Sequence, residues 1–319
     1  MQFIDVFNGD ADGLCARQQL RLAAPVNAIL VSGVKRDISL LKQVQAAAGD
    51  EVTVLDISLD KNREALLRLL TQGVKVRYFD HHYAGDLPGH EGFTAHIDVA
   101  AETCTSLIVD RHLNGRFREW AVVGAFGDNL DVSAMRAAVG LNLSDEQLAT
   151  LRELGVCLNY NGYGAALEDL FFSPVKLAER LRPFVSPFAF IKEDPDVVTI
   201  LRNGAAADTA KAEAIAPDML SAKVAVFILP AESWARRVSG VYSNQLASNN
   251  PDRAHALLTA LPEGGYVVSV RAPLNNKTGA DELCRAFASG GGRKAAAGIN
   301  QLPEDQYAAF VSAFQVMYG

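Results

Sequence analysis

The chain has 319 residues, of which 49% are hydrophobic and 21% charged, and a formal charge of −7 at pH 7. These values describe a soluble globular protein, most simply of two domains, and they argue against a broad basic face for long nucleic acid. No apolar run reaches the roughly 18 residues of a membrane span, and no basic region precedes an apolar one at the N-terminus, so a cytoplasmic protein with no membrane partner is expected. The four cysteines, Cys15, Cys104, Cys157 and Cys284, show no CxxC spacing and read as buried free thiols.

In chain order, Phe3-Ile4-Asp5-Val6-Phe7 reads as a strand that runs into Asn8-Gly9-Asp10-Ala11-Asp12-Gly13, with a helix from Gly13 to Leu20. Ala28 to Ser32 reads as a second strand and Ser39 to Ala48 as a short helix. Val52-Thr53-Val54-Leu55 is a strand ending on Asp56, and Lys61 to Leu70 carries the apolar spacing of a helix. Lys75 to Phe79 is a further strand, ending on Asp80-His81-His82. Residues 83 to 98 read as a polar, Gly-rich loop, and Thr103 to Leu113 as a helix. Ala121 to Phe126 reads as a strand delivering Gly127-Asp128. Residues 144 to 193 are helix-like, with breaks at glycines and prolines, and form an all-α extension. Strand and helix alternate through the first half, which predicts βαβ units and a parallel sheet.

The apolar pattern is interrupted between residues 192 and 218, which places a boundary near residue 200. The expected division is a domain over 1–195, a linker over 196–215 and a domain over 216–319. In the last, Lys223–Leu229 and Tyr266–Arg271 are strands, and Tyr242–Ser248, Asp281–Ala288 and Glu304–Met317 are helices. The expected fold class is α/β: a parallel-sheet N-terminal domain with a helical extension, and a smaller α/β C-terminal domain.

Four predicted strands thus end in carboxylate or imidazole, and in a parallel sheet those ends share the edge where such folds bind ligands. Asp10, Asp12, Asp56, His81 and Asp128 form a donor set suited to a hard divalent cation such as Mn²⁺ or Mg²⁺. A single aspartate at a strand end is as readily a helix N-cap; four such ends call for a common cause. His82 follows His81 and points the other way in an extended chain, so His81 suits a ligand and His82 a phosphate contact or proton donor, with a structural role for one of them left open. His90, His96, His112 and His255 read as structural or surface residues. Gly290-Gly291-Gly292-Arg293 is either a helix C-cap and turn or an anion cradle in which Gly291 and Gly292 offer N–H groups and Arg293 forks onto phosphate. Arg271 either joins that site or is a surface residue.

Together, Asn8-Gly9-Asp10-Ala11-Asp12-Gly13, Asp56, Asp80-His81-His82, Gly127-Asp128 and Gly290 to Arg293 resemble the DHH phosphoesterase superfamily, in the RecJ and nanoRNase branch with its DHH domain and DHH-associated substrate-binding domain. The resemblance implies a Mn²⁺-dependent phosphoesterase with two ions, one held by Asp10 and Asp56 and the other by Asp12, Asp56, His81 and Asp128. It further implies that Asp80 orients His81, and that His82 and the Arg293 stretch hold substrate phosphate. Asn8 stands where relatives usually carry another acidic or histidine ligand, and Arg293 where they carry a histidine. A permanent guanidinium suits a terminal phosphate better than proton transfer.

The expected activity is hydrolysis of very short 5′-phosphorylated oligoribonucleotides, dinucleotides such as pGpG among them, to mononucleotides. Alternatives are a 3′-phosphonucleotide phosphatase, a cyclic-dinucleotide phosphodiesterase, and a non-catalytic nucleotide-binding regulator suggested by Asn8. A homodimer is expected from the resemblance alone.

Overall fold

The computed structural model describes residues 1–319. The chain divides into two units, Met1–Asn203 and Gly204–Gly319.

The first unit opens with strand β1 (Phe3–Asn8), helix α1 (Ala11–Ala23), β2 (Ala28–Gly33), β3 (Glu51–Leu55), α2 (Leu59–Thr71), β4 (Lys75–Asp80) and β5 (Phe93–Ile97). The five strands form one parallel sheet in the order β2-β1-β3-β4-β5. Alternation along the strands sends their side chains to two cores. Ile4, Val6, Val52, Val54, Val76 and Tyr78 pack with Leu66 and Leu69 of α2. Phe7, Leu55 and Phe79 pack with Leu14 of α1 and with the helices that follow. Asp5 is fully buried on that second side, and Arg17 and Arg21 of α1 hold it at 3.0 and 2.5 Å. A buried carboxylate persists only with such partners, and these fasten α1 to the sheet.

Seven helices follow: α3 (Thr105–His112), α4 (Arg118–Gly127), α5 (Asp131–Ala138), α6 (Asp145–Asn161), α7 (Pro174–Leu181), α8 (Pro187–Glu193) and α9 (Pro195–Glu213). Ala121–Phe126, expected as a strand, lies inside α4. Every residue from Trp120 to Gly127 is buried, so no polar face marks the helix, and a short apolar run of this kind reads equally as a strand. The helix expected over Ser39–Ala48 is only a 3₁₀ turn at Leu40–Gln43. Side chains of α2 capture its backbone instead: Asn62 bonds the Leu41 N–H and the Ile38 carbonyl, and Arg68 bonds the Val44 carbonyl. The stretch expected as a loop up to residue 98 contains β5, an edge strand pairing only with β4. Residues 195 to 213, which cover most of the expected linker, are helical.

The second unit holds β6 (Met219–Leu220), β7 (Val224–Leu229), α10 (Ser233–Asn249), β8 (Ala254–Ala260), β9 (Tyr266–Arg271), α11 (Ala280–Arg285), β10 (Gly290–Arg293), β11 (Ala296–Leu302) and α12 (Tyr307–Tyr318). Its mixed sheet runs β10-β11-β9-β8-β7-β6, with only β7 and β8 parallel. Val224 and Val226 face Leu283, Phe310 and Phe314, whereas Ala225 and Phe227 face Trp234, Val238 and Tyr242. The chain is thus α/β in both units, as its alternating patterns predict. No helix is long and apolar enough to cross a membrane.

Strand β8 buries His255, whose Nδ1 has no hydrogen-bond partner. Burial, then the charge of Arg253, lowers its pKa to about 4. Between the ordinary histidine value and about 4, the unfolded chain binds a proton that the folded chain refuses. Stability present above that window is therefore lost as pH falls through it, by up to about 3 kcal/mol. Denaturant titrations of the wild type and His255→Gln from pH 7 to pH 4 should show this loss in the wild type and a flatter curve in the variant; parallel curves would show that His255 does not titrate this way.

Candidate metal centre

The C-terminal edge of the parallel sheet gathers the polar residues. Asp10 follows β1 and caps α1, accepting the Gly13 N–H at 3.0 Å. Asp12 lies in the first turn of α1 and reaches across to the start of α3, where its two oxygens accept the N–H groups of Thr105 at 2.8 Å and Ser106 at 2.7 Å. Cys104, the N-cap of α3, supplies no side-chain cap, so Asp12 takes that place from a distant part of the chain. Asp56 sits at the end of β3 with a left-handed backbone, φ +59°. Aspartate tolerates that region better than most residues, and such conformations gather at functional sites. The Thr105 hydroxyl lies 3.2 Å from its Oδ1.

His81 follows β4. Its Nδ1 donates to the Thr103 carbonyl at 2.9 Å, leaving Nε2 as a lone pair 3.4 Å from Asp56 and 4.0 Å from Asp128. The Asp80 carboxylate accepts from His82 Nδ1 at 2.7 Å and from the His81 backbone N–H at 2.9 Å. Asp80 therefore orients the His82 ring, and the Thr103 carbonyl orients His81; the expectation that Asp80 would orient His81 is corrected. The two rings lie 4.4 Å apart rather than pointing opposite ways, and His81 Nδ1 is taken up by the Thr103 carbonyl while His82 takes up the Asp80 carboxylate. Asp128 arrives not from a strand but from the C-terminal cap of α4.

Two sets of donor atoms lie within 4.8 Å of one another: Asp12, His81 and Asp128, and Asp56, His81 and His82. Asp10 belongs to neither set. Its Oδ2 is 2.7 Å from the Lys35 ammonium, which also stands 3.5 Å from Asp128.

Electrostatics follow from the crowding. Burial, and next the charges of Asp12, Asp10, Asp128 and Asp80, push Asp56 well above the usual carboxylate range. Burial and Asp12 raise Asp128 to about 6, against the pull of Lys35. Burial acts on Asp10 in the same sense, but the Lys35 charge and hydrogen bond with the Gly13 N–H outweigh it and hold Asp10 low. The Asp80 hydrogen bond raises His82 against the opposing effect of burial. Two buried oxygens at this edge, Asn8 Oδ1 and Asp80 Oδ2, have no hydrogen-bond partner. Clustered carboxylate oxygens, a free imidazole lone pair and an orphaned amide oxygen fit a hard divalent cation.

Sequence reasoning does not pick out Lys35, Thr103, Thr105, Ser106 or Asn159. Lys35 stands two residues past β2, whose end lies on the same edge, so its position is open to the same argument as the aspartates. Thr105 and Ser106 open a helix lacking its own cap, which is a weaker signal.

In the second unit, the Gly290–Arg293 stretch is not a free cradle but edge strand β10, paired with β11 on one side only. Gly292 has φ +142°, and a Cβ there would meet the Ala297 Cα at 2.5 Å, so close packing of the hairpin requires it. Gly291 faces open space. Arg271 and Arg293 both pair with Ala296, from opposite sides of β11, and their side chains share one face with backbones roughly 10 Å apart. Arg271 bonds the Asn244 amide at 2.8 Å; burial, then the like charge of Arg293, lowers its pKa.

The class defined by this architecture is an α/β protein with a carboxylate–imidazole cluster at the C-terminal edge of a parallel sheet. Among solved structures, the fold is that of DHH-domain proteins. A DHH-domain protein described as a member of a family of ribosomal proteins matches with a TM-score of 0.66 at 14% identity, covering 99% of this chain and 86% of that one. The exonuclease RecJ bound to manganese matches with a TM-score of 0.62 at 17% identity, over 99% and 89% of the two chains. The pGpG-specific phosphodiesterase PggH from Vibrio cholerae matches with a TM-score of 0.57 at 13% identity, over 99% and 98%. No protein-family model matches the chain, and no curated protein matches it in sequence.

Asparagine also tolerates the left-handed backbone at position 56. Asp56→Asn should raise the melting temperature of the metal-free protein, more at pH 7.5 than at pH 5, because above the ordinary carboxylate value the unfolded chain has shed a proton that the folded chain holds, and the cost grows with pH. The same variant should weaken Mn²⁺ binding by about 100-fold, the upper end of what loss of a supporting partner costs. An unchanged affinity in calorimetric titration would remove Asp56 from the centre.

Proposed function

We propose that this chain is a Mn²⁺-dependent phosphodiesterase that hydrolyses very short 5′-phosphorylated oligoribonucleotides, dinucleotides such as pGpG among them, to mononucleotides. The observation that carries this reading is the pair of donor sets that share His81, one with Asp12 and Asp128 and the other with Asp56 and His82, on the fold shared with RecJ and PggH. A divalent cation held there supplies Lewis-acid neutralisation of the scissile phosphate and activation of a water at neutral pH. Asp12 is fixed by two N–H groups at the start of α3, and His81 by the Thr103 carbonyl, so neither ligand needs to reorganise during the reaction. His82, half-exposed and held by Asp80, is placed to keep a proton at Nε2 for a phosphate or leaving oxygen.

The choice of a short, 5′-phosphorylated substrate rests on two features. Arg271 and Arg293 share one face with no carboxylate between them, which suits an anionic group. A formal charge of −7 disfavours a long strand.

The test is a product-resolved time course with Mn²⁺ on RNA of two to about seven nucleotides, lengths that bracket short single-strand sites. Mononucleotide release fastest from the dinucleotide is expected. Free phosphate as the sole product would favour a phosphomonoesterase, and preference for the longest substrate would overturn the reading. Arg293→Gln should raise KM about 10- to 100-fold for the 5′-phosphorylated dinucleotide, the worth of one charged hydrogen bond, and leave KM for the 5′-hydroxyl form unchanged.

A further inference from the structure

Lys35 is fixed more firmly than a surface lysine would be. Its backbone N–H donates to the Gly162 carbonyl at 2.8 Å, and its own carbonyl accepts from Asn8 Nδ2 at 3.3 Å. Gly9 admits this segment: a Cβ there would stand 2.0 Å from the Gly33 carbonyl oxygen, so the turn after β2 packs directly on the end of β1. Three oxygens converge on the ammonium, from Asp10 at 2.7 Å, Asn159 at 2.8 Å and Asp128 at 3.5 Å. The Asn159 amide is itself oriented, because its Nδ2 donates to the Tyr163 hydroxyl at 3.0 Å. The Tyr163 ring closes the pocket 5.9 Å from Nζ. A three-donor ammonium thus finds three acceptors and an aromatic face.

We propose that the Lys35 ammonium is a resident cation that takes the place of a metal ion beside Asp10, so that the centre binds one divalent ion, at Asp12, Asp56, His81 and Asp128. This rests on the divalent-cation reading of the site. Lys35 holds Asp10 Oδ2 at 2.7 Å and the Gly13 N–H holds Oδ1 at 3.0 Å, so an ion on Asp10 and Asp56 would have to take an oxygen from one of them, and a divalent ion at about 2.1 Å from Oδ2 leaves no room for the ammonium. The fixed charge of Lys35 does there what a second ion would do: it offsets the charge of Asp10.

The experiment counts ions independently of turnover. Purified full-length protein is titrated with Mn²⁺, and stoichiometry is read by calorimetry and by electron paramagnetic resonance, for the wild type, Lys35→Ala and Lys35→Arg. The wild type should take up one Mn²⁺ with the six-line spectrum of an isolated ion. Lys35→Ala should take up two, with a broadened spectrum of coupled ions, the second using Asp10 and Asp56. Lys35→Arg should stay at one. Two coupled ions in the wild type would overturn the proposal while leaving the metal reading intact, as would a count that stays at one in Lys35→Ala. No Mn²⁺ uptake by any of the three would overturn the metal reading itself, and the proposal with it. Should Lys35→Ala fail to fold, Lys35→Gln takes its place, and the wild-type count still decides against the proposal if it is two.

Discussion

The constraint on which this structure turns is the crowding of four carboxylates, three of them buried and Asp128 partly so. Asp10, Asp12 and Asp56 are each no more than 2% exposed, and Asp128 joins them from the opposite side. Like charges this close cannot all ionise in a protein interior unless something positive compensates them. The chain meets part of that demand itself. Two N–H groups and the dipole of α3 serve Asp12, Lys35 serves Asp10, and Thr105 bonds Asp56. What is left, centred on Asp56 and Asp128 with their raised pKa values, is a demand that a bound divalent ion would satisfy.

The scaffold places this demand where backbone geometry can meet it. Parallel strands end together, so β1, β3 and β4 deliver Asp10, Asp56 and His81 to one edge without long side chains. Helix α1 starts on that edge and α4 ends there, so Asp12 and Asp128 approach from a different layer than the strand residues. The buried Asp5–Arg17–Arg21 group ties α1 to the sheet from below the site. Movement of α1 would therefore disturb both Asp10 and Asp12, and the rigidity of the site depends on that ion pair at a distance from it.

How much of this can be read in the sequence depends on which physical signal each residue carries. The strands before Asp10, Asp56 and Asp80-His81-His82 alternate or run apolar over a few residues and stop at polar ones, so their ends are legible. The Asp128 segment has the same apolar look, yet it folds as helix α4, because a helix buried on every side loses the polar face that would reveal its period. Its register, not its type, determines where Asp128 falls, and so the residue is legible although the element is not. Lys35 is hidden for the opposite reason. A lone lysine after a strand reads as solvated surface; the edge on which it falls is legible, and the inward turn of its side chain is not, because that depends on the close approach of Gly33 to Gly9. The glycines at 290 to 292 illustrate a third case. They signal close backbone approach, and sequence cannot say whether the thing approached is a ligand or, as here, a neighbouring strand.

Asn8 and Lys35 are best understood as one feature. An amide at position 8 brings no negative charge, and its Nδ2 is spent on the Lys35 carbonyl, so it contributes at most one neutral oxygen to the edge. A carboxylate in its place would lie beside Asp10 and strengthen the attraction for a second metal ion. With a neutral residue there and an ammonium opposite, that half of the site is already balanced: Lys35 offsets Asp10, and a single divalent ion would leave the four carboxylates with one residual negative charge. A second divalent ion at Asp10 would have to displace a buried ammonium from three acceptors. Leaving that ammonium without partners in the interior costs several kcal/mol, the usual penalty for an unpaired buried charge. The neutral amide at position 8 and the ammonium at position 35 therefore act in the same direction, both lowering the attraction of this half of the site for a second ion.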